Sequence, residues 1–168
     1  MAAVTITLDP EFRYVVYVVC LSAIVLLFKA QMAGLARKRY GIPYPDHYAV
    51  KGATRRKKLT LLSSATGDKK SDEEALLTDA ECDAYNAFQR VHYNTLENYP
   101  QFLALVILGG LYSARNSAIG GALWLLGRVM YAVGYYISPS LRVLGVLYAV
   151  GFVTCLYNAV MFGWTLAK

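Results

Sequence analysis

Four long apolar stretches limit what this chain can fold into. They run from Phe12 to about Ala36, from about Tyr85 to Tyr112, over Ser117–Ile137 and over Leu141–Leu166. Each reaches or exceeds the roughly 20 residues that a helix needs to cross hydrocarbon. The second is apolar only in its later half. None shows the sustained two-residue alternation of a membrane β-strand. With 57% hydrophobic residues and only 17% charged ones, the composition agrees with the pattern. Both predict an all-α integral membrane protein, a four-helix bundle in one domain. The first stretch begins too late and runs too long for a cleaved signal peptide, and reads as a retained signal anchor.

Charge sets the expected orientation. Arg37, Lys38, Arg39, Lys51, Arg55, Arg56, Lys57, Lys58, Lys69 and Lys70 all fall in the first connection. The N-terminal flank offers Arg13 and the second connection Arg115. The excess of Lys and Arg predicts that the 37–84 connection is cytosolic, with both termini and the 112–117 turn on the other side. Topology accounts for the net charge of +6 without a nucleic-acid partner. Membrane lipids are the expected surroundings, with anionic headgroups against the basic loop. Cys20, Cys82 and Cys155 have no paired spacing, so neither a disulfide framework nor a metal site is expected.

Local signals mark the helix ends. Residues 49–77 are polar, small and charged, and read as a flexible cytosolic insertion. Within it DEEALL, Asp72–Leu77, fits an acidic dileucine pattern that often arises by chance. Thr78 and Glu81 form a capping box, so the second helix is expected to start near Asp79 and project into the cytosol before it enters the membrane. Pro100 falls inside that helix and predicts a kink. Ser138 and Pro139 suit the N-cap and first position of the fourth helix, with Arg142 in its first turns.

The polar residues of the second helix are not scattered. At about 100° per residue, Arg90, Asn94, Glu97 and Gln101 fall within about 60° of one another, with Tyr93 at the margin. His92 falls on the opposite side. On the third helix Trp124, Arg128, Tyr131 and Tyr135 make a second stripe. Arg37 and Lys38 close the first helix, and Arg142 opens the fourth, at the same expected end. The cations want anions, Glu97 wants a cation, and Asn94 and the tyrosines supply neutral hydrogen bonds. A small zwitterion, more anionic than cationic, fits; a tripeptide with two carboxylates, an ammonium and a thiol is one. At a helix N-terminus, Arg142 would favour the thiolate. A structural alternative stands beside this reading. Glu97 and Arg128 sit at similar depth and could form a buried ion pair, and Arg128 in particular reads as structural. Asn158 reads as a helix–helix hydrogen bond.

The strings RVHYNTLENYPQF and GRVMYAVGYY, with Arg142 seven residues after Tyr135, resemble the membrane-associated proteins in eicosanoid and glutathione metabolism, the MAPEG family. The type-three microsomal glutathione transferases are the nearest branch. The resemblance covers about 12–48 and 83–166. It implies homotrimers in the endoplasmic reticulum or nuclear envelope, with glutathione as co-substrate and a hydrophobic second substrate from the bilayer. It assigns Arg90, Asn94 and Glu97 to the γ-glutamyl end, Tyr131 and Tyr135 to the pocket wall, and Arg37 and His92 to the glycine carboxylate. Arg142 would activate the thiol, and Lys38, Tyr93 and Arg128 would support the site. His92, out of phase with the stripe, is expected to serve a neighbouring chain. Lys38, Asn98 and His92 depart from the leukotriene C4 synthase pattern, which has Arg, Tyr and Gln there. The implied activity is glutathione transfer, with lipid peroxidase or leukotriene C4 synthase-like activity beside it. A non-enzymatic lipid-binding scaffold is the alternative on the same fold. A small transporter is the third reading, disfavoured because the polar groups cluster in one half of the bundle.

Overall fold

The computed structural model describes residues 8–52 and 76–167. Among the described residues there are four α-helices: α1 (Phe12–Tyr40), α2 (Asp79–Tyr112), α3 (Ala114–Ile137) and α4 (Leu147–Leu166). A 3-10 helix, Pro139–Val146, leads into α4. Among the described residues there is no β-strand element, so the expected all-α class holds.

Among the described residues, three helical segments are long and apolar enough to cross a membrane: α1, α3, and the 3-10 helix taken together with α4. α2, the second expected span, is not among them. Its apolar part is confined to the end beyond Pro100, and charged residues occupy its first half. At 34 residues it is about 50 Å long.

Several ends match their local signals. Thr78 N–H donates to Glu81 Oε2 at 3.0 Å, and Glu81 N–H donates to Thr78 Oγ1 at 3.2 Å. That is the reciprocal capping box, and α2 begins at the next residue, Asp79. α1 ends at Tyr40 because Gly41 takes a φ of +66°. Ile42 N–H then donates back to the Arg37 carbonyl at 3.2 Å, closing the left-handed cap that glycine permits. Other ends differ from expectation. α3 starts at Ala114, three residues earlier than expected, because Ser113 alone completes the connection: its N–H donates to the Gly109 carbonyl at 2.9 Å and its carbonyl accepts from Ser117 N–H at 3.0 Å. Residues 139–146 are 3-10 rather than α.

The chain divides into two compact units. One comprises residues up to Leu27 and from Tyr93 onward; the other is Phe28–His92. In the first, the core joins Val15 of α1 to Phe102 and Val106 of α2 and Trp124 of α3. Phe102 and Trp124 stack with ring centres 3.8 Å apart. α3 and α4 meet through small residues. Gly120, Gly127 and Gly134 recur every seven positions, so they line one face. A Cβ on Gly127 would meet the Tyr148 amide, and one on Gly134 would meet the Leu141 carbonyl. On the opposing side, a Cβ on Gly145 would lie 2.6 Å from Tyr131 Cβ. This close approach is the reason that 139–146 is 3-10: the segment is held against the α3 backbone, and the tighter coil fits there. Asn158 Nδ2 donates to Ser117 Oγ at 3.0 Å, the interhelical bond expected of that residue.

The second unit packs the chain after α1 onto the start of α2. Ile42, Ala49, Leu77, Cys82 and Tyr85 form its core. Ala49 N–H donates to Asn86 Oδ1 at 2.8 Å, and Asn86 Nδ2 donates to the Ala49 carbonyl at 2.9 Å. Tyr85 Oη donates to the His47 carbonyl at 3.1 Å. Two residues at the edges of the expected 49–77 insertion are packed against the rest of this unit. Ala49 is fixed by the Asn86 amide, and Leu77 is only 4% exposed, because buried backbone groups and apolar side chains find partners there. The basic cluster 55–58, Lys69 and Lys70, and most of DEEALL, lie outside the described residues.

Candidate functional site

The residues predicted to matter fall in both units. In the unit that contains α3 and α4, one set lies together. Arg128 on α3 is 1% exposed. Its Nη1 donates to Asn94 Oδ1 of α2 at 2.7 Å. Its guanidinium also sits 4.2 Å from the Tyr148 ring centre and 5.1 Å from that of Trp124. One turn on, Tyr131 and Tyr135 approach with ring centres 5.6 Å apart. Arg142, on the 3-10 helix, is close enough for its charge to act on the Tyr131 phenol, as does that of Arg128.

Chemically the set divides in two. Arg128 is built in: an aromatic slot receives its charge, and Asn94 neutralises one of its donors. Arg142 is exposed, so its guanidinium faces outward beside the tyrosine pair. Glu97 is exposed as well. The buried Arg128–Glu97 pair that equal depth would allow gives way to Arg128–Asn94. The reason is azimuth. Asn94 faces α3, whereas Glu97 stands outward from it.

Within the Phe28–His92 unit, Arg37 donates from Nη1 to the Pro43 carbonyl at 3.1 Å. Its guanidinium lies over Tyr44, 4.5 Å from the ring centre, and 5.9 Å from that of Tyr85. Lys38 and Arg90 are exposed, and His92 is half-buried. Tyr93, the next residue, opens the other unit's share of α2 and is half-buried too.

Two features escaped the sequence reading. Lys29 lies inside the first apolar stretch and is only 4% exposed. Its charge acts on the His92 imidazole, so His92 has a cationic neighbour in its own chain. The signal was present: Lys29 is the one charged residue between Tyr14 and Ala36, and ionisable groups in such runs are functional candidates by default. The second is Gln89, 5% exposed, whose Nε2 donates to Tyr85 Oη at 2.7 Å. That bond orients Tyr85, which in turn holds the His47 carbonyl.

Among the described residues no group of His, Cys, Asp and Glu is arranged to hold a metal.

The model of the MAPEG family matches residues 15–164. An uncharacterized protein of Synechocystis sp. is 47% identical to this chain over 57 residues, a stretch covering 33% of this chain and 42% of that protein. The chain thus spans less than half the length of that relative.

Proposed function

Because the chain belongs to the MAPEG family, we propose that it is a membrane-bound glutathione transferase and peroxidase, nearest in activity to the type-three microsomal branch. Glutathione binds as co-substrate, and the acceptor is a lipophilic electrophile or lipid hydroperoxide dissolved in the bilayer. The working form is a homotrimer of the endoplasmic reticulum or nuclear envelope, with the 37–84 connection in the cytosol. The observation that carries the reading is the exposed Arg142 beside the Tyr131–Tyr135 pair. A guanidinium whose charge reaches the Tyr131 phenol can also stabilise a thiolate held there, because the cation favours the ionised sulfur.

In the transfer reaction the sulfur lone pair of the thiolate forms a bond to the electrophilic carbon. The leaving group departs with its electron pair, or the opened ring oxygen takes a proton. In the peroxidase reaction two glutathiones become one disulfide, and the hydroperoxide becomes an alcohol and water. Arg142 holds the thiolate in both. Arg90, Glu97, Arg37 and His92 enter through the motif match, binding the γ-glutamyl and glycine ends. Asn94, already bonded to Arg128, contributes to the pocket with that partner. Lys38 and Tyr93 support the site.

The test is ultraviolet difference absorbance on purified protein titrated with glutathione near neutral pH, with Arg142→Ala beside it. A thiolate band in wild type that is lost in the variant is the expected result. Absence of glutathione binding by calorimetry in the intact oligomer would put the lipid-binding scaffold in its place.

A further inference from the structure

At the end of the bundle where α2 hands over to α3, a groove of about 600 Å³ opens between α1 and α3. Glu11, Tyr14, Tyr17 and Val18 form one wall, and Arg115 and Ile119 head the other. All lie in the unit that contains α3 and α4. The volume falls within the range of ligand sites, about 300–1,000 Å³.

Three observations point to its occupant. First, both signs of charge stand at the mouth: Glu11 and Arg115 line it, and Arg13 lies beside it on α1. Among the described residues neither Glu11 nor Arg115 takes part in an ion pair. Second, both walls change character in step. From Glu11 to Val18, and from Arg115 to Ala122, each wall passes from charged to apolar over two turns, about 10 Å. Third, α1 and α3 are both apolar enough to span a membrane, and Tyr14 and Tyr17 lie in the first two turns of α1, near a span end, where aromatic side chains are enriched. Arg13 Nη2 donates to the lining residue Tyr14 at its Oη, 3.1 Å away.

We propose that this groove binds one zwitterionic glycerophospholipid of the surrounding membrane, its phosphate on Arg115, its ammonium on Glu11 and one acyl chain along Val18 and Ile119. A soluble zwitterion would satisfy the mouth but has no use for the apolar floor. An anionic lipid would satisfy Arg115 but bring no cation to Glu11. The zwitterionic lipid matches both the charge order and the gradient.

Native mass spectrometry of the full-length protein tests this. The protein is delipidated in detergent, then offered equal amounts of phosphatidylethanolamine and phosphatidylglycerol. Arg115→Gln and Ile119→Trp are run beside it; both positions are exposed and neither belongs to the glutathione machinery. Wild type is expected to retain one phosphatidylethanolamine per chain, about tenfold over phosphatidylglycerol. Arg115→Gln should weaken retention about tenfold, and Ile119→Trp, which fills the groove, should abolish it with the circular dichroism unchanged. Equal retention by all three proteins would overturn the proposal, as would equal retention of the two lipids. A loss of subunits in Ile119→Trp would instead assign the groove to a second copy of the chain. Displacement of the lipid by an equal concentration of glycerophosphoethanolamine would assign it to a soluble ligand.

Discussion

Arg128 Nη1 donates to Asn94 Oδ1 at 2.7 Å, tying α3 to α2 inside the apolar bundle. A guanidinium that is 1% exposed stays charged there because it has an acceptor and two aromatic faces. Asn94 thus has a structural duty, whatever it also does for a ligand.

Removing that acceptor should cost stability. Asn94→Ala leaves a buried cation short of a partner, at about 1–3 kcal/mol. The thermal midpoint of the purified protein is expected to fall. If Asn94→Ala melts like wild type and loses only glutathione binding, the bond to Arg128 is incidental.

Arg142 is the opposite case. It is exposed on the 3-10 helix, so Arg142→Ala should leave the oligomer and its melting intact. Turnover should fall about 10²–10³-fold, the usual loss when one donor to a developing anion is removed. Arg142→Lys should recover part of it, since charge remains while the planar fork is lost. Wild-type turnover in Arg142→Ala would remove the residue from the mechanism.

Close helix contact makes a sharper test of the α3–α4 seam. Gly151→Ala would drive a methyl into the Gly120 carbonyl and the Trp124 amide. Both are backbone and cannot turn aside. A loss of about 1–3 kcal/mol is expected. Gly163→Ala, on the same helix with nothing within 4 Å, should be neutral or stabilise by about 0.5–1 kcal/mol. Comparable melting of the two variants would mean that the seam is looser than its geometry.

The connection after α1 is held down by Asn86, and Cys82 reports on it. Cys82 is 1% exposed, and its Sγ donates to the Val50 carbonyl at 3.6 Å. Burial pushes its thiol up from the ordinary range, and the negative charges of Asp79, Asp83 and Glu81 add to this. Maleimide labelling of Cys82 at pH 7.5 should therefore be slow and should quicken as the pH rises. A raised thiol pKa stabilises the fold at low pH, fully below the unfolded value, and that contribution fades as the pH climbs to the folded one. Asn86→Ala, which strips both bonds from Ala49, should speed labelling without a change of pH. Fast labelling of Cys82 in wild type would show that the connection is not docked.

Much of the fold was legible because its signals are local. A capping box needs only Thr78, Glu81 and the two positions between them, so the start of α2 followed from the sequence. Pro139 at the first position of its helix and the lengths of the apolar runs are equally local. The grouping of Tyr131 and Tyr135 came from the helical repeat alone.

Helical periodicity gives the relative angle of residues on one helix; it does not give the rotation of one helix against another. The sequence therefore determined the all-helical class, most helix boundaries and the polar stripes. Only the tertiary structure decided that Arg128 meets Asn94, that Glu97 stands outward and that Lys29 is buried. It also decided that 139–146 winds as a 3-10 helix against the α3 glycines, and that Ala49 docks on Asn86. Those outcomes depend on which surfaces come within contact distance, and close packing between distant segments sets that distance.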